Sequence, residues 1–356
     1  MHPKFACTRA NHFVSCQIDH SSVWYPSQLD GCHDVTYAIL QPMMFHIAVD
    51  VGGTQLRAAC YPIDKNQPSQ IARISTTHPS IPPYLLLEQL IQSVWPNTGS
   101  VQSIAVAAPG PLDPYQGIIF EAPNIPDWID LPIRNLLEKR FQVPVALGND
   151  ANLAALGEWM FGAGRSHHFL IYLTISTGIG GGVIIDDRLL LGKHGLAAEL
   201  GHVTIIPDGP MCGCGQRGHL EAIASGTGIT HWVAEQLGNG VPSVLQNTPD
   251  INAKLIAEAA HSGDQLSLAA FTRAGSFIGL AITNYLHIFN PTIIIIGGGV
   301  SRSRDLFIEP LRDAIRRNVM NPHYLSDLTI TPAELSDDAG LLGALALARS
   351  QNFTRQ

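Results

Sequence analysis

Two segments of the chain repeat one pattern, in which an apolar strand-like run leads into a glycine-rich turn and a second run returns from it. The first turn, residues 50–54, has the sequence DVGGT, and the second, residues 176–182, has the sequence STGIGGG. Glycines let backbone N–H groups approach phosphate oxygens, and Thr and Ser hydroxyls add hydrogen-bond donors. The pair therefore predicts two halves of similar construction that clamp a polyphosphate from both sides.

Each turn taken alone has a second interpretation, because glycine turns commonly serve only to reverse the chain. Neither turn continues into the Gly-Lys-Ser/Thr of a Walker loop, and neither opens the helix of a dinucleotide-binding G-x-G-x-x-G motif. This pattern favours a nucleoside triphosphate over a nicotinamide cofactor. The predicted phosphate-binding residues at the two turns are Asp50, Gly52, Gly53, Thr54, Arg57, Thr177, Gly178 and Gly180.

Two charged residues at the first turn have different predicted roles. Asp50 supplies the hard carboxylate oxygens that Mg²⁺ prefers, and we expect it to hold the ion through water, since Mg²⁺ keeps part of its hydration shell. Arg57, on the returning strand, either contacts phosphate or only pairs across the hairpin.

From residue 45 onward, strand patterns alternate with helix patterns, which indicates an α/β architecture. Strands are predicted at residues 45–51, 55–61, 103–108, 143–147, 169–176, 181–185 and 293–296. Helices are predicted at residues 83–94, 133–141, 151–161, 269–289 and 341–348. A chain of 356 residues exceeds the usual size of one hydrophobic core, so we expect two domains that enclose a cleft.

The composition is that of an ordinary soluble enzyme and excludes several other classes. A net charge of -8 argues against nucleic acid as a bulk partner. No run approaches the roughly 18 apolar residues that would span a bilayer, and the start lacks the pattern of a signal peptide. We therefore expect a cytoplasmic protein.

The first 43 residues differ from the remainder, because they show neither helical nor strand periodicity. They contain Cys7, Cys16 and Cys32, so one interpretation is a small metal-binding or regulatory arm. The favoured interpretation is a poorly ordered extension, or a start codon placed too early, ahead of Met43 and Met44. It predicts that deletion of residues 1–43 leaves activity intact.

The segment from Glu199 to Glu221 is dense in metal ligands and carboxylates. Its two His and two Cys residues match the Cys₂His₂ composition of a tetrahedral structural zinc site. The alternative is a flexible glycine-rich loop with incidental Cys and His residues. The predicted ligands are His202, Cys212, Cys214 and His219. Glu199 and Glu221 lie close to these ligands in the sequence and are the predicted recognition groups.

Asp150 is a candidate general base. It follows the strand pattern of residues 143–147 and precedes the helix pattern of residues 151–161. The competing interpretation is that Asp150 only caps this helix, a common use of aspartate.

Five motifs, taken together and in order, resemble the ROK family, and specifically its sugar kinases. They are DVGGTQLR at 50–57, NDAN at 149–152, STGIGGG at 176–182, ELGH at 199–202 and CGCGQRG at 212–218. The resemblance runs from about residue 44 to the C-terminus and implies an actin-like ATPase fold, with two α/β domains that flank a cleft. On this basis residues 44–161 with 340–356 form the smaller domain, and residues 162–339 form the larger one.

The resemblance also implies specific roles. It supports Asp150 as the base and the zinc site as part of the fold, although the family usually has a third Cys where this chain has His219. Gly297, Gly298 and Gly299 correspond to the place where adenosine lies against backbone in the family. The implied sugar-binding residues are Asn124, Asn149, Asp150, Glu199, His202 and Glu221. His202 can serve both zinc and sugar if each ring nitrogen takes one role.

The leading hypothesis is therefore an ATP-dependent hexose kinase with Mg²⁺ and a structural Zn²⁺, acting on glucose. N-acetylhexosamine kinases and fructokinases are close alternatives, because the same residues would grip their hydroxyls. A different class, the sugar-responsive repressors of the family, needs an N-terminal helix-turn-helix that residues 1–43 do not resemble. Polyphosphate as the donor is disfavoured because no basic stripe is evident. The family further implies dimers or tetramers.

Overall fold

The computed structural model of the chain describes residues 43–78, 80–122, 124–125 and 127–350, and the backbone of residues 7–10, 13–18 and 21–26. The N-terminal unit contains three antiparallel strands in the order β1-β2-β3, which are Cys7–Ala10, Phe13–Ile18 and Ser21–Pro26. Strands in this part of the chain were not expected from its pattern. Cys32 lies outside the described residues, and the dispensability of residues 1–43 stays a prediction. Residues 43–356 form a separate compact unit.

The first half of this unit contains a five-stranded mixed sheet. Its strands are β4 Met44–Val51, β5 Gln55–Pro62, β6 Gln70–Ser75, β7 Ser100–Ala108 and β11 Val145–Asn149. A small neighbouring sheet contains β8 Leu112–Asp113, β9 Ile118–Glu121 and β10 Ile129–Leu131. The helices of the first half are α1 Pro83–Ser93, α2 Ile133–Phe141 and α3 Asp150–Phe161. The large sheet has the order β11-β7-β4-β5-β6, and only the pairs made by β5 are antiparallel.

The second half repeats this sheet. Its strands are β12 Phe169–Ile175, β13 Ile179–Ile185, β14 Arg188–Leu189, β15 Ile293–Gly297 and β16 Thr329–Pro332. Its helices are α4 Leu220–Ala224, α5 Gly226–Gly238, α6 Ala253–His261, α7 Gln265–Phe289 and α8 Arg304–Asn318, and the chain returns to the first half with α9 Ala339–Arg349. The order β14-β13-β12-β15-β16, with antiparallel pairs only at β13, matches the first sheet strand for strand. The two glycine turns connect β4 to β5 and β12 to β13.

Helices α3 and α9 lie between the two halves and join them. Their cluster of buried residues includes Ala48 and Ala105 from the first sheet and Leu170 and Ile295 from the second. The helices cross at a pair of glycines, because a Cβ on Gly157 would lie 2.9 Å from the backbone nitrogen of Gly343. The first residue of α3 is Asp150, so this crossing also fixes the position of that carboxylate.

The element predictions are confirmed where the periodicity was strong. The predicted helix at 133–141 has the bounds of α2, whereas α7 begins four residues earlier than expected, at Gln265. The elements that were not predicted are helices α4, α5, α6 and α8 and strands β6, β8, β9, β10, β14 and β16. Among the described residues, only α7 has the length and hydropathy of a membrane span, and 61% of its apolar window is buried inside the protein. It packs as a core helix through Phe271, Ile278 and Ile282.

Candidate active site

Three cavities adjoin one another and make up a cleft, since the central cavity shares Asp150 with the rear cavity and Ser176 with the helical cavity. The central cavity, about 630 Å³, is lined from both halves, by residues such as Pro109 and Gly110 of the first and Gly180 and Glu199 of the second. The helical cavity, about 750 Å³, lies beside α5, α6 and the turn after β15. The rear cavity, about 540 Å³, reaches the start of α9. Asp150 lines both the central and the rear cavity.

Asp150 is the first residue of α3, one position earlier than the predicted helix start. The helix cap is not Asp150 but Asn149, whose Oδ1 accepts hydrogen bonds from Ala151 N at 3.0 Å and Asn152 N at 3.1 Å. The N-cap position therefore belongs to Asn149, although the Asp150 carboxylate also accepts a hydrogen bond from Ala151 N, at 2.7 Å. The amide nitrogen of Asn149 is not used in the cap, and the residue also lines the central cavity.

The carboxyl group of Asp150 has an unusual protonation behaviour. Withdrawal from bulk water raises its pKa to about 6, and the charges of Asp50 and Glu199 act in the same direction. The backbone N–H of Ala151, 2.7 Å from Oδ1, opposes this rise. A carboxylate of this pKa, placed in a cleft, can take a proton from a bound hydroxyl near neutral pH.

The residues predicted to bind sugar come together in the central cavity. All six line it, and they are Asn124, Asn149, Asp150, Glu199, His202 and Glu221. Two glycines predicted at phosphate, Gly178 and Gly180, line the same cavity. The cavity therefore brings carboxylates, amides and an imidazole next to the second glycine turn, an arrangement that suits a small molecule rich in hydroxyl groups.

The four predicted metal ligands form one cluster, with their ligand atoms all within 4.8 Å of one another. His219 Nδ1 lies 3.3 Å from His202 Nδ1 and 3.3 Å from Cys214 Sγ, and Cys212 Sγ lies 3.7 Å from His202 Nδ1. A tetrahedral zinc site with ordinary bond lengths has ligand-to-ligand distances of roughly 3.3 to 3.8 Å. The donor set and its spacing therefore fit zinc.

His202 presents its two ring nitrogens to different neighbours. Nδ1 faces the cluster, whereas Nε2 lies 4.0 Å from Glu199 Oε2 on the cavity side. Partial burial raises the pKa of Glu199, the charge of His202 lowers it, and Glu221 raises it again. The imidazole can thus bind a metal ion with one nitrogen and offer the other to a ligand in the cavity.

The first glycine turn is held by residues of its own sheet. Gly52 N donates to Gln55 O at 3.0 Å, and the buried hydroxyl of Thr76 donates to Gly52 O at 2.6 Å. Arg57 pairs across the hairpin, because its Nε and Nη2 lie 2.9 and 2.5 Å from Asp50 Oδ2. The structure thus favours pairing across the hairpin, rather than contact with phosphate, as the role of Arg57.

The predicted phosphate residues are distributed unevenly over the cavities. Asp50 and Arg57 line the rear cavity, and Thr177 and Gly299 line the helical cavity. The remaining predicted residues, Gly52, Gly53, Thr54, Gly297 and Gly298, line none of the three cavities. Gly53 instead contacts the side chain of Asn124, which links the first turn to the central cavity.

Sequence reasoning missed most of the lining of the helical cavity. Thr227, Lys254, His261 and Arg302 all line it, and none was predicted. The start of α6 carried a readable signal, because Asn252 caps it by accepting from Lys254 N and Leu255 N, each at 3.1 Å. Without the helices, nothing in the local sequence placed these side chains beside Thr177.

Comparisons with known proteins agree with this fold. The family model of the ROK family matches residues 46–351. The glucokinase of Thermotoga maritima is 40% identical over 252 residues, which cover 70% of this chain and 79% of that protein. The crystal structure of a ROK family glucokinase from Streptomyces griseus in complex with glucose and AMPPNP has a TM-score of 0.72 and 32% identity, covering 86% of this chain and 99% of that one.

A regulator is also similar. The xylose repressor of Caldicellulosiruptor bescii is 32% identical over 268 residues, which cover 74% of this chain and 67% of that protein. The repeated sheets, the cleft and these neighbours define a protein with the actin-like ATPase fold. The chain belongs to the ROK family, and its glucokinase relatives make it a glucokinase-like member. The resemblance found in its motifs is confirmed.

Proposed function

We propose that the protein is a glucokinase that transfers the γ-phosphoryl group of ATP to the 6-hydroxyl of glucose. An ATP-dependent sugar kinase is the class that the glucokinase relatives and the ROK kinase structures support. The observation that carries the proposal is the position of Asp150, with a pKa raised to about 6, in the cavity that also holds the predicted sugar residues and the second glycine turn.

Asp150 is the general base in this proposal. As the 6-hydroxyl oxygen forms its bond to the γ-phosphorus, its proton passes to the Asp150 carboxylate. The bond between the γ-phosphorus and the bridging oxygen breaks, and ADP leaves with that oxygen. Backbone N–H groups of the second turn and the hydroxyl of Thr177 would donate to phosphate oxygens, where charge spreads in the transition state.

Two metal ions complete the proposal, in different roles. Asp50 would hold Mg²⁺, which neutralises phosphate charge when bound, and it has Oδ1 available because Arg57 engages only Oδ2. Zn²⁺ would be structural, held by His202, Cys212, Cys214 and His219. A closed set of four protein ligands leaves no open position for a reacting group.

Glucose would be gripped through pairs of hydroxyls. Carboxylates and amides accept or donate two hydrogen bonds side by side, and the central cavity has both types. N-acetylhexosamine and fructose remain the alternative acceptors, because the same side chains would bind a sugar with a different group at C2. The Thermotoga maritima relative is a glucokinase, and this similarity favours glucose as the acceptor.

A sugar-responsive repressor is the second candidate, since a xylose repressor matches much of the same chain. An ADP-release assay with glucose, fructose, mannose, N-acetylglucosamine and N-acetylmannosamine separates the candidates. We expect turnover with glucose at the highest kcat/KM. Turnover only with an acetylated sugar would change the proposed substrate. No turnover with any of the sugars, together with sugar-dependent DNA binding, would overturn the proposed kinase activity.

A further inference from the structure

One carboxylate connects the metal cluster to the second glycine turn. Glu221 Oε2 accepts a hydrogen bond from the backbone N–H of Ile179 at 2.9 Å, and Oε1 lies 3.3 Å from Cys212 Sγ. The fit at the turn is close, because a Cβ on Gly178 would overlap Glu221 Oε2. Glu221 therefore touches the turn and the cluster at the same time, although Ile179 is 42 positions away in the sequence.

The backbone that follows Glu221 holds the other side of the same turn. Gly226 N donates to Ser176 O at 2.7 Å, and Thr227 N donates to Thr177 O at 3.3 Å. Only the five-residue helix α4 and the α5 cap Ser225 separate these donors from the cluster residue His219. The metal-binding segment thus grips the turn through one side chain and through the first N–H groups of α5.

The other carboxylate of the segment has no such connection. Glu199 lines the central cavity and lies near His202 Nε2, and in the described part of the chain its side chain makes no hydrogen bond to the glycine turn. The two carboxylates therefore form a natural pair for comparison, one facing only the cavity and the other also supporting the turn.

We propose that Glu221 is a positioning residue for the second phosphate turn, so that the metal-binding segment sets the affinity for ATP as well as the shape of the sugar site. This inference rests on the proposed function, because it assumes that the turn binds the phosphates of ATP. By accepting the N–H of Ile179, Glu221 fixes the backbone of the turn and with it the direction of the N–H groups of Thr177 and Gly178. Loss of this bond lets the turn relax before the nucleotide arrives, and binding must then restore the ordered form.

The test measures nucleotide binding without sugar, by calorimetry with the non-hydrolysable analogue AMPPNP and Mg²⁺. We expect Glu221→Ala to raise the Kd for the analogue by at least about 10-fold, and Glu221→Asp to raise it by about 5-fold because the shorter side chain cannot reach Ile179 N. Glu221→Gln keeps an oxygen for that N–H and stays within about 3-fold of the wild type. The control Glu199→Ala weakens glucose binding but leaves the Kd for the analogue within about 2-fold.

The three Glu221 variants distinguish the hydrogen bond to Ile179 N, which depends on side-chain length, from the negative charge of the carboxylate. If Glu221→Gln weakens the analogue as much as Glu221→Asp, charge rather than the bond to Ile179 matters, and the positioning role is overturned. Wild-type affinity in both Glu221→Ala and Glu221→Asp also overturns it. Where the Ala variant fails to fold, the contrast between Asp and Gln decides alone.

The same titrations separate this inference from the proposed function. A wild-type protein that neither binds the analogue nor phosphorylates a sugar defeats the proposed function. A wild type that does both, with variants that keep its nucleotide affinity, defeats only the role of Glu221. Zinc content, measured for each variant, shows whether a change in affinity accompanies loss of the metal.

Discussion

The two glycine turns look alike in the sequence but are supported in different ways. The first, between β4 and β5, is held inside its own sheet by Thr76 and by the pair of Asp50 with Arg57. The second, between β12 and β13, is held by Glu221 and by the start of α5, both of which follow the predicted metal ligands in the sequence. One turn is thus self-contained, and the other depends on a distant segment.

Because of this difference, we expect the two halves of the cleft to respond to different substitutions. A change at the cluster should disturb the second turn and the sugar residues together, and leave the first turn intact. A change at Thr76 should affect only the first turn. The predictions below test this separation, beginning at Asp150, where both halves contribute to one site.

The largest effect is expected from Asp150→Asn, which removes the proposed base at the meeting point of the two halves. A general base contributes about 10² to 10⁴ in rate, so we expect kcat to fall by at least about 100-fold. Glucose and nucleotide affinity should change little, because the amide keeps the shape of the carboxylate. Steady-state kinetics check this, and a variant that keeps more than about a tenth of wild-type kcat would remove Asp150 as the base.

The next effect is expected from Cys214→Ser, which removes the exposed member of the four predicted metal ligands. We expect loss of bound zinc and a rise of about 10- to 100-fold in the KM for glucose, because His202 and the neighbouring carboxylates lose their anchor. The matched control is His219→Cys, which supplies another competent zinc ligand and should keep both the metal and the KM.

Metal analysis and glucose kinetics on both variants make this measurement. A zinc-free Cys214→Ser protein with a normal KM for glucose would show that the cluster does not organise the sugar site. Thermal unfolding should reveal a loss of stability as well, since structural zinc contributes free energy of folding.

Local sequence pattern was sufficient to predict those helices and strands whose hydrophobic periodicity reflects a buried face. The unbroken apolar run of β15 and the amphipathic spacing of α2 identified both, because each buried face repeats at the period of its backbone. The motifs likewise placed Glu199, His202 and Glu221 in one site, since the metal ligands around them are close in sequence.

Contacts between distant segments could not be predicted in this way. The bond from Ile179 N to Glu221 joins two motifs that were each recognised, but no pattern at either end specifies the partner. The choice between the two roles of Arg57 also required the register of β4 and β5, which places it opposite Asp50. Helices α5 and α6, and with them the helical cavity, depend on packing against α7.

A third prediction concerns the acid limb of the pH profile, where the two halves act on the same group. Asp150 must be ionised to accept a proton, so kcat/KM, which reports the free enzyme, should fall about 10-fold per pH unit below its pKa of about 6. Because Asp50 of the first turn and Glu199 of the metal segment both raise this pKa, Asp50→Asn and Glu199→Gln should each move the limb to lower pH.

The pH dependence of kcat/KM for the three proteins checks this expectation, even where the variants are slower overall. An acid limb that stays in place in both variants would show that burial alone raises the pKa of Asp150. A shift in only one variant would identify which half of the cleft sets it.

The smallest effect is expected from Thr76→Val, which removes the hydroxyl that supports the first turn while keeping the side-chain shape. The buried hydroxyl donates to Gly52 O at 2.6 Å, and its loss leaves that carbonyl without this partner, at a cost of about 1 kcal/mol in the free energy of unfolding. We expect the KM for ATP to rise by about 3- to 5-fold, with zinc content and glucose affinity unchanged.

Thr283→Val is the matched control, because its buried hydroxyl donates to Gly279 O at 2.9 Å within α7, far along the chain from both turns. Similar destabilisation in both variants, with a change in the KM for ATP only in Thr76→Val, would support separate anchoring of the two turns. A weakened glucose site or lost zinc in Thr76→Val would show instead that the turns are coupled, and that the first is not self-contained.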